Sequence, residues 1–311
     1  MKIKTTFLLA SLLFLSFTSY SQHIFSVKGA STFLDNQIFQ VIGLRCSNAL
    51  LADKTTQDLI GHLDIYKSYG INTISVFLMG SRFGDIKGFN EDGSLNKTYA
   101  RRLGKIIEAC DSRKMVVLVG CLYWGNSKAK WESWKQEDAE NAIRNTISWL
   151  SENKYRNVLV DPDNEGMAQR EAGFDYYKLI DVAKQSDPDI MVGYNSRGYP
   201  PPNADLALHF SEQVPEIPYI ESEGTMTDYW GAYSKEKDLY GYINVGIYTE
   251  GKKEEQIKNT DSLLQNGHGY LFASTWLQNV PVNDDPGGDG SPCDPGIRWW
   301  LDHIRKNYLK E

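Results

Sequence analysis

The chain has 311 residues, with 33 basic and 40 acidic side chains and a formal net charge of −7. This acidity argues against nucleic acid or an anionic membrane as a partner. The length allows one large domain or two small ones, and α/β barrels commonly fill this range as a single domain.

The first residues have the pattern of an export signal. Lys2 and Lys4 form a positive region, residues 7–17 form a short apolar run, and small residues precede position 22. We therefore predict a cleavable signal peptide over 1–21 and a secreted or periplasmic protein. The apolar run is too short for a membrane span, and no later stretch approaches one. No cysteine lies at the cleavage point, so we expect no lipid anchor.

The cysteines predict neither a metal site nor a definite disulfide. The mature chain has Cys46, Cys110, Cys121 and Cys293, whose spacing matches no zinc motif. Export permits disulfides, so a Cys46–Cys121 contact or a Cys293 bridge stays open beside the simpler interpretation as buried free thiols. The loop 283–290 groups oxygen donors that could ligate calcium, but its spacing fits an acidic solvated turn better. We expect no resident metal and no cofactor.

Strand and helix patterns alternate after residues 25–40, which we predict to form a hairpin with its turn at 34–37. Helical spacing of apolar residues predicts six helices, at 55–69, 99–110, 137–150, 174–184, 253–264 and 297–306. Apolar, β-rich segments predict eight strands, at 39–44, 72–78, 115–119, 158–160, 190–193, 206–210, 218–223 and 270–276.

This alternation predicts a (β/α)8 TIM barrel with a short N-terminal β-hairpin, as a single domain over 22–311. A doubly wound open sheet is the alternative fold. The count of eight strands and the lack of a glycine-rich phosphate turn argue against it.

The predicted strands end in polar or aromatic side chains. In a (β/α)8 barrel the active site lies at the C-terminal ends of the strands, so these side chains should meet on one rim. They are Tyr123, Trp124, Asn164, Glu165, Asn195, His209, Glu223 and Trp276.

Five of these positions resemble the retaining (β/α)8-barrel glycoside hydrolases of clan A, in particular the cellulase-like enzymes of family 5. In that clan an Asn-Glu pair ends the fourth strand, as Asn164 and Glu165 do here, and a second Glu ends the seventh, as Glu223 does five positions after Pro218. His209 on the sixth strand and Trp276 on the eighth match the cellulase-like members.

The resemblance implies cleavage of β-glycosidic bonds in a poly- or oligosaccharide by double displacement. Glu165 would be the acid/base and Glu223 the nucleophile, two carboxylates being what this chemistry requires. We expect burial and the negative Glu223 to raise the pKa of Glu165, so that it remains an acid near neutral pH. The remaining rim residues would contact the substrate, namely Asn164, His209, Trp276, Tyr123, Trp124 and Asn195.

The sequence departs from the family pattern at three places. The family usually has an Arg on the second strand, where this chain has Ser75, and Arg45 is a candidate replacement. Gly224 replaces the usual aromatic residue after the strand-seven Glu, and Gly166 replaces the usual Pro after the Asn-Glu pair.

Three alternatives concern the site and its activity. Glu221 lies on the same strand face as Glu223, and the Pro spacing favours Glu223 as the nucleophile. For the activity, a catalytically inactive carbohydrate-binding barrel and a transglycosylase with the same carboxylate pair both stay open.

Overall fold

The computed structural model describes most of the chain after the predicted signal peptide. The predicted signal over 1–21, Trp276 and most of the acidic loop 283–290 lie outside the described residues. The described residues are 22–80, 86–125, 127–225, 248–273, 288, 291, 293–294 and 296–309.

The described chain begins with a small antiparallel sheet of three strands, β1 (Phe25–Lys28), β2 (Ser31–Leu34) and β3 (Gln37–Ile38). The sequence predicted one hairpin here, with a single turn. A second turn forms at Gly29, whose φ of +56° is a conformation that glycine adopts readily. The Phe25 N–H donates to the Arg156 carbonyl at 2.9 Å, just before a barrel strand begins, so this sheet lies at the N-terminal end of the barrel.

Eight parallel strands close into a barrel, which confirms the predicted fold and excludes the open sheet. Each strand pairs with its neighbours in chain order, and the last pairs with the first. The strands are β4 (Ile42–Arg45), β5 (Thr73–Phe77), β6 (Val116–Leu122), β7 (Val158–Asp163), β8 (Met191–Tyr194), β9 (Leu206–Leu208), β10 (Tyr219–Glu221) and β11 (Gly269–Ala273).

The six predicted helices are present, and a short seventh was not predicted because six residues are too few to show a helical period. A 3-10 turn over Asn164–Gly166 precedes that short helix. In the described part of the chain the helices are α1 (Asp53–Ser68), α2 (Lys97–Asp111), α3 (Gln136–Glu152), α4 (Met167–Ala172), α5 (Tyr176–Ser186), α6 (Glu250–Leu264) and α7 (Arg298–Tyr308).

The barrel interior changes from apolar to polar towards the C-terminal ends of the strands. Because side chains alternate along a strand, Asp161 and Asp163 continue the inward face of Leu159 on β7. All three are at most 1% exposed. The apolar part of the interior is filled by Val116, Leu118, Leu159, Leu206, Leu208, Ile220 and Leu271, with Phe25, Leu34 and Val41 closing it from below.

The four cysteines of the described chain are free thiols. Cys46, Cys110 and Cys121 are buried, and Cys293 is exposed. The possible Cys46–Cys121 and Cys293 bridges are therefore not formed. Within the ranges given above, none of the helices has the length and apolar character that crossing a membrane would require.

Candidate active site

Arg45, at the end of β4, lies at the centre of the polar rim. It is 1% exposed, and its Nη1 lies 2.7 Å from Glu223 Oε2, an ion pair whose angle falls outside hydrogen-bond geometry. Its Nη2 donates to Asn164 Oδ1 at 3.1 Å. Arg45 pairs in register with Ser75 on β5. The cation missing from β5 is thus supplied by the adjacent strand, as the sequence suggested.

Aromatic rings enclose the Arg45 guanidinium. Its central carbon lies 4.6 Å from the Phe77 ring centroid and 5.7 Å from that of Tyr123. A cation against a ring face is attracted by the ring quadrupole, more strongly when water is excluded. The rings and the ion pair together fix the charge of Arg45 beside Glu223.

The two glutamates at the end of β10 have different environments. Glu221 accepts hydrogen bonds from Tyr219 Oη at 2.9 Å and the Glu223 N–H at 2.9 Å, and its Oε1 lies 2.5 Å from His209 Nδ1. Burial favours its neutral form, but the His209 charge and these bonds outweigh burial and lower the pKa of Glu221. Glu221 therefore binds and orients His209, whereas Glu223 faces the other carboxylate.

Glu165, His209 and Glu223 meet at one point. One carboxylate oxygen of each glutamate and one ring nitrogen of His209 lie within 4.8 Å of one another. Glu165 is half-buried and Glu223 is 7% exposed. Asn164 links the two halves of the site, because it accepts from Arg45 and its Nδ2 donates to Glu165 Oε1 at 3.3 Å.

Glu223 has a raised pKa, and the rise that the sequence led us to expect on Glu165 stays a prediction. Burial raises the pKa of Glu223 to about 8, against the Arg45 charge and with the help of the Glu165 charge. Strongly interacting groups titrate as a pair. Arg45 contacts Glu223 rather than Glu165, so its charge favours the ionised form of Glu223.

His209 adds a positive charge to the same point. Burial lowers its pKa, but the negative charges of Glu221, Glu223 and Glu165 outweigh burial and raise it to about 9. The imidazolium therefore persists at neutral pH and helps to keep Glu221 and Glu223 ionised.

The same three side chains are those that could bind a divalent cation, since imidazole and carboxylate oxygens are common ligands. Two features oppose this use. His209 would have to lose its proton, and Arg45 already neutralises Glu223 at 2.7 Å. The cluster is thus better suited to proton transfer than to metal binding.

Other predicted rim residues are placed differently. Trp124 is 4% exposed because its ring packs on Trp134 at 5.9 Å and Phe174 at 5.1 Å between centroids, and Tyr123 is equally buried. Both have little surface to offer a sugar ring. Asn195 is fully buried and donates to Asp161 at 2.8 Å. Their roles as substrate contacts stay predictions, as does that of Trp276, which lies outside the described residues.

Gly224 departs from the family pattern for a visible steric reason. A Cβ atom at position 224 would overlap the ring of Tyr270, which β11 places against this backbone. The Gly224 N–H donates to the Leu271 carbonyl at 2.8 Å. The space that a side chain at position 224 would need is therefore occupied by Tyr270.

Removing the Arg45 charge should destabilise the fold. We expect Arg45→Met to lower the free energy of unfolding by about 3 kcal/mol at pH 9, since it leaves Glu223 buried without its counter-charge. Adding Glu223→Gln should recover much of this loss. Urea unfolding of the two single variants and the double variant measures the coupling, and purely additive effects would show that the pair contributes no net interaction.

Comparison with known proteins finds similarity in structure only. No protein-family model matches the chain, and no curated protein matches it in sequence. A β-glucanase from Saccharophagus degradans superposes with a TM-score of 0.57 at 14% identity, over 92% of this chain and 93% of that one. A family 5 glycoside hydrolase from Bacteroides vulgatus gives 0.57 at 13%, over 92% and 68%. The fold is that of these hydrolases.

A mannan-cleaving enzyme shares the fold equally. The β-1,4-D-mannanase from Cryptopygus antarcticus gives a TM-score of 0.54 at 9% identity, over 91% of this chain and 94% of that one. The Saccharophagus β-glucanase has also been solved with cellotetraose. At these identities the similarity establishes the (β/α)8 architecture, and any activity of this chain must be argued from its own site.

Proposed function

We propose that the protein is a retaining glycoside hydrolase acting on a β-linked poly- or oligosaccharide. The observation that carries the proposal is the approach of the Glu165 and Glu223 carboxylates, with oxygens within 4.8 Å. Retaining enzymes hold their two carboxyls about 5–5.5 Å apart, whereas inverting enzymes leave about 6.5–9.5 Å for a water molecule. The close approach matches the shorter separation and favours direct attack by a carboxylate.

In the first step Glu165 gives its proton to the glycosidic oxygen, and a Glu223 oxygen attacks the anomeric carbon. The glycosidic bond breaks and an ester between the sugar and Glu223 forms. In the second step Glu165 takes a proton from water, the water oxygen attacks the same carbon, and Glu223 leaves as a carboxylate. Arg45 stabilises Glu223 before attack and after release, since it lies 2.7 Å from its Oε2.

The structural neighbours indicate which β-linked polysaccharides to test. The structural neighbours include β-glucanases and β-mannanases, so β-glucans and β-mannans are the first substrates to test. The predicted signal peptide would place the enzyme outside the cytoplasm, where such polysaccharides occur. A screen that measures reducing ends released from both groups tests the activity, and binding without release from any of them would favour the inactive barrel.

Exposed rings near His209 offer a surface for sugar stacking. Three of the six large apolar side chains exposed in the described chain lie at this rim, Tyr177, Tyr199 and Phe210. Phe210 is 38% exposed, and its ring centroid lies 4.2 Å from that of His209. A bridge between Gly198 and Ser211 joins the two loops that hold Tyr199 and Phe210. We therefore include Phe210 among the substrate contacts.

Removing the Phe210 ring should weaken binding of long substrates. We expect Phe210→Ala to raise KM for a hexasaccharide about tenfold, because the lost burial is worth about 1.5–3 kcal/mol when complete. The matched control is Ile38→Ala, which removes an exposed apolar side chain from β3 at the other end of the barrel. An equal change in KM for both variants would remove Phe210 from the site.

A further inference from the structure

The backbone at the proposed acid/base is strained. Glu165 has φ +56° and ψ 19°, and Gly166 follows with φ +59°. Glycine adopts this left-handed conformation freely, but a side chain such as that of glutamate disfavours it. Strained residues persist only where the surrounding structure determines their conformation. The contacts that hold Glu165 must therefore lie nearby.

Asp163 makes the principal contact. Its Oδ1 accepts the Ala168 N–H at 2.9 Å and its Oδ2 accepts the Gln169 N–H at 3.0 Å. The Asp163 carboxylate thus links the residue before the turn to the first residues of α4. The turn that contains Glu165 lies between these two points. Asp163 is fully buried, and burial raises its pKa to about 8. No step of the proposed reaction uses it.

The other side of the turn is held by β8 and by α4. Ser196, just after β8, donates to Gln169 Oε1 at 2.8 Å, and a Cβ atom at Gly166 would overlap the Ser196 side chain. Arg170 donates to the Glu165 carbonyl. These contacts add to the two bonds that the Asp163 carboxylate makes to α4.

We propose that Asp163 is a positioning residue for Glu165. It keeps the left-handed turn closed, so that the Glu165 carboxyl remains within reach of the glycosidic oxygen and of Glu223. The inference rests on the proposed function, in which Glu165 is the proton donor. Asp163 itself touches neither the substrate nor the reacting atoms.

The test uses substrates that differ in their need for a proton donor. We expect Asp163→Ala to lower kcat/KM about 100-fold on a natural oligosaccharide, the effect of misplacing a catalytic group by about 1 Å. On a dinitrophenyl glycoside, whose leaving group needs no proton, the loss should be less than about threefold. Asp163→Asn keeps one acceptor oxygen and should recover part of the loss. If the alanine variant does not fold, the asparagine variant tests the same difference between the two substrates.

A second comparison removes Glu165. In a Glu165→Ala background, adding Asp163→Asn should lower kcat/KM on the oligosaccharide no further, because residues that act through one another are not additive. The matched control is Asp205→Ala, since Asp205 also accepts a backbone N–H, that of Val192 at 2.7 Å, away from the turn. That variant should lose the same factor on both substrates.

Two results would overturn the inference. An equal loss on both substrates in an Asp163 variant would show a structural role alone, as would additive effects in the Glu165→Ala background. If the wild type releases no product from any glycoside, the proposed function fails first, and the role of Asp163 fails with it. If the wild type is active but an Asp163 variant loses the same factor on both substrates, only the role of Asp163 is overturned.

Discussion

Glu223→Gln is expected to abolish turnover while sparing sugar binding. Glutamine keeps the shape of the side chain beside Arg45, but an amide oxygen does not form the ester that the first step requires. We expect kcat to fall by at least about 10⁴-fold, as with other removed nucleophiles. The Kd for an oligosaccharide, measured by calorimetry, should change less than about threefold.

The control for this variant is Glu212→Gln, which neutralises an exposed glutamate after β9. It should leave kcat within a factor of about two. Glu221→Gln is informative in another way, because it removes the partner of His209 at 2.5 Å. If that variant were inactive and Glu223→Gln retained full activity, the nucleophile would be Glu221.

Glu165→Ala is expected to separate substrates by their leaving groups. Natural oligosaccharides should lose about 10³-fold in kcat/KM, since general acid catalysis contributes about 10²–10⁴-fold. Dinitrophenyl glycosides should still form the ester with Glu223, and azide should then release it as a glycosyl azide because a small anion can enter the space left by Glu165. Product analysis with and without azide measures both effects.

The pH profile provides the control for this variant. In the wild type, kcat/KM should be bell-shaped, with limbs that belong to the carboxylate pair. In Glu165→Ala the alkaline limb should flatten with an activated substrate, because no proton donor is then needed. An unchanged alkaline limb would assign the proton donor to another residue.

The barrel was predictable because its strands are short apolar segments that alternate with helical spacing. The bounds shifted by a few residues at most: the sixth strand was predicted over 206–210 and ends at Leu208, so that His209 begins the loop that carries it into the site. Local pattern determines such elements. Trp124 shows the limit of this reasoning, since its ring is covered by Trp134 and Phe174, which no local pattern relates to it.

The carboxylates of the candidate site were predictable from strand ends, but their supporting groups were only partly so. Arg45 was a candidate replacement for the missing cation, and only the strand register shows how it reaches Glu223. Asp163 carried one available signal, an acidic residue on the inward face of a buried strand. Its two bonds to α4 depend on a left-handed turn that residue types alone do not specify.

Covalent labelling tests the central claim most directly. A 2-deoxy-2-fluoro glycoside with a good leaving group slows both steps, so that the glycosyl-enzyme ester accumulates and peptide mapping by mass spectrometry can locate it. We predict a single sugar on Glu223, for the gluco or the manno form of the reagent, and no label in Glu223→Gln. A sugar on Glu221, or hydrolysis with inverted anomeric configuration and no covalent adduct, would contradict the account.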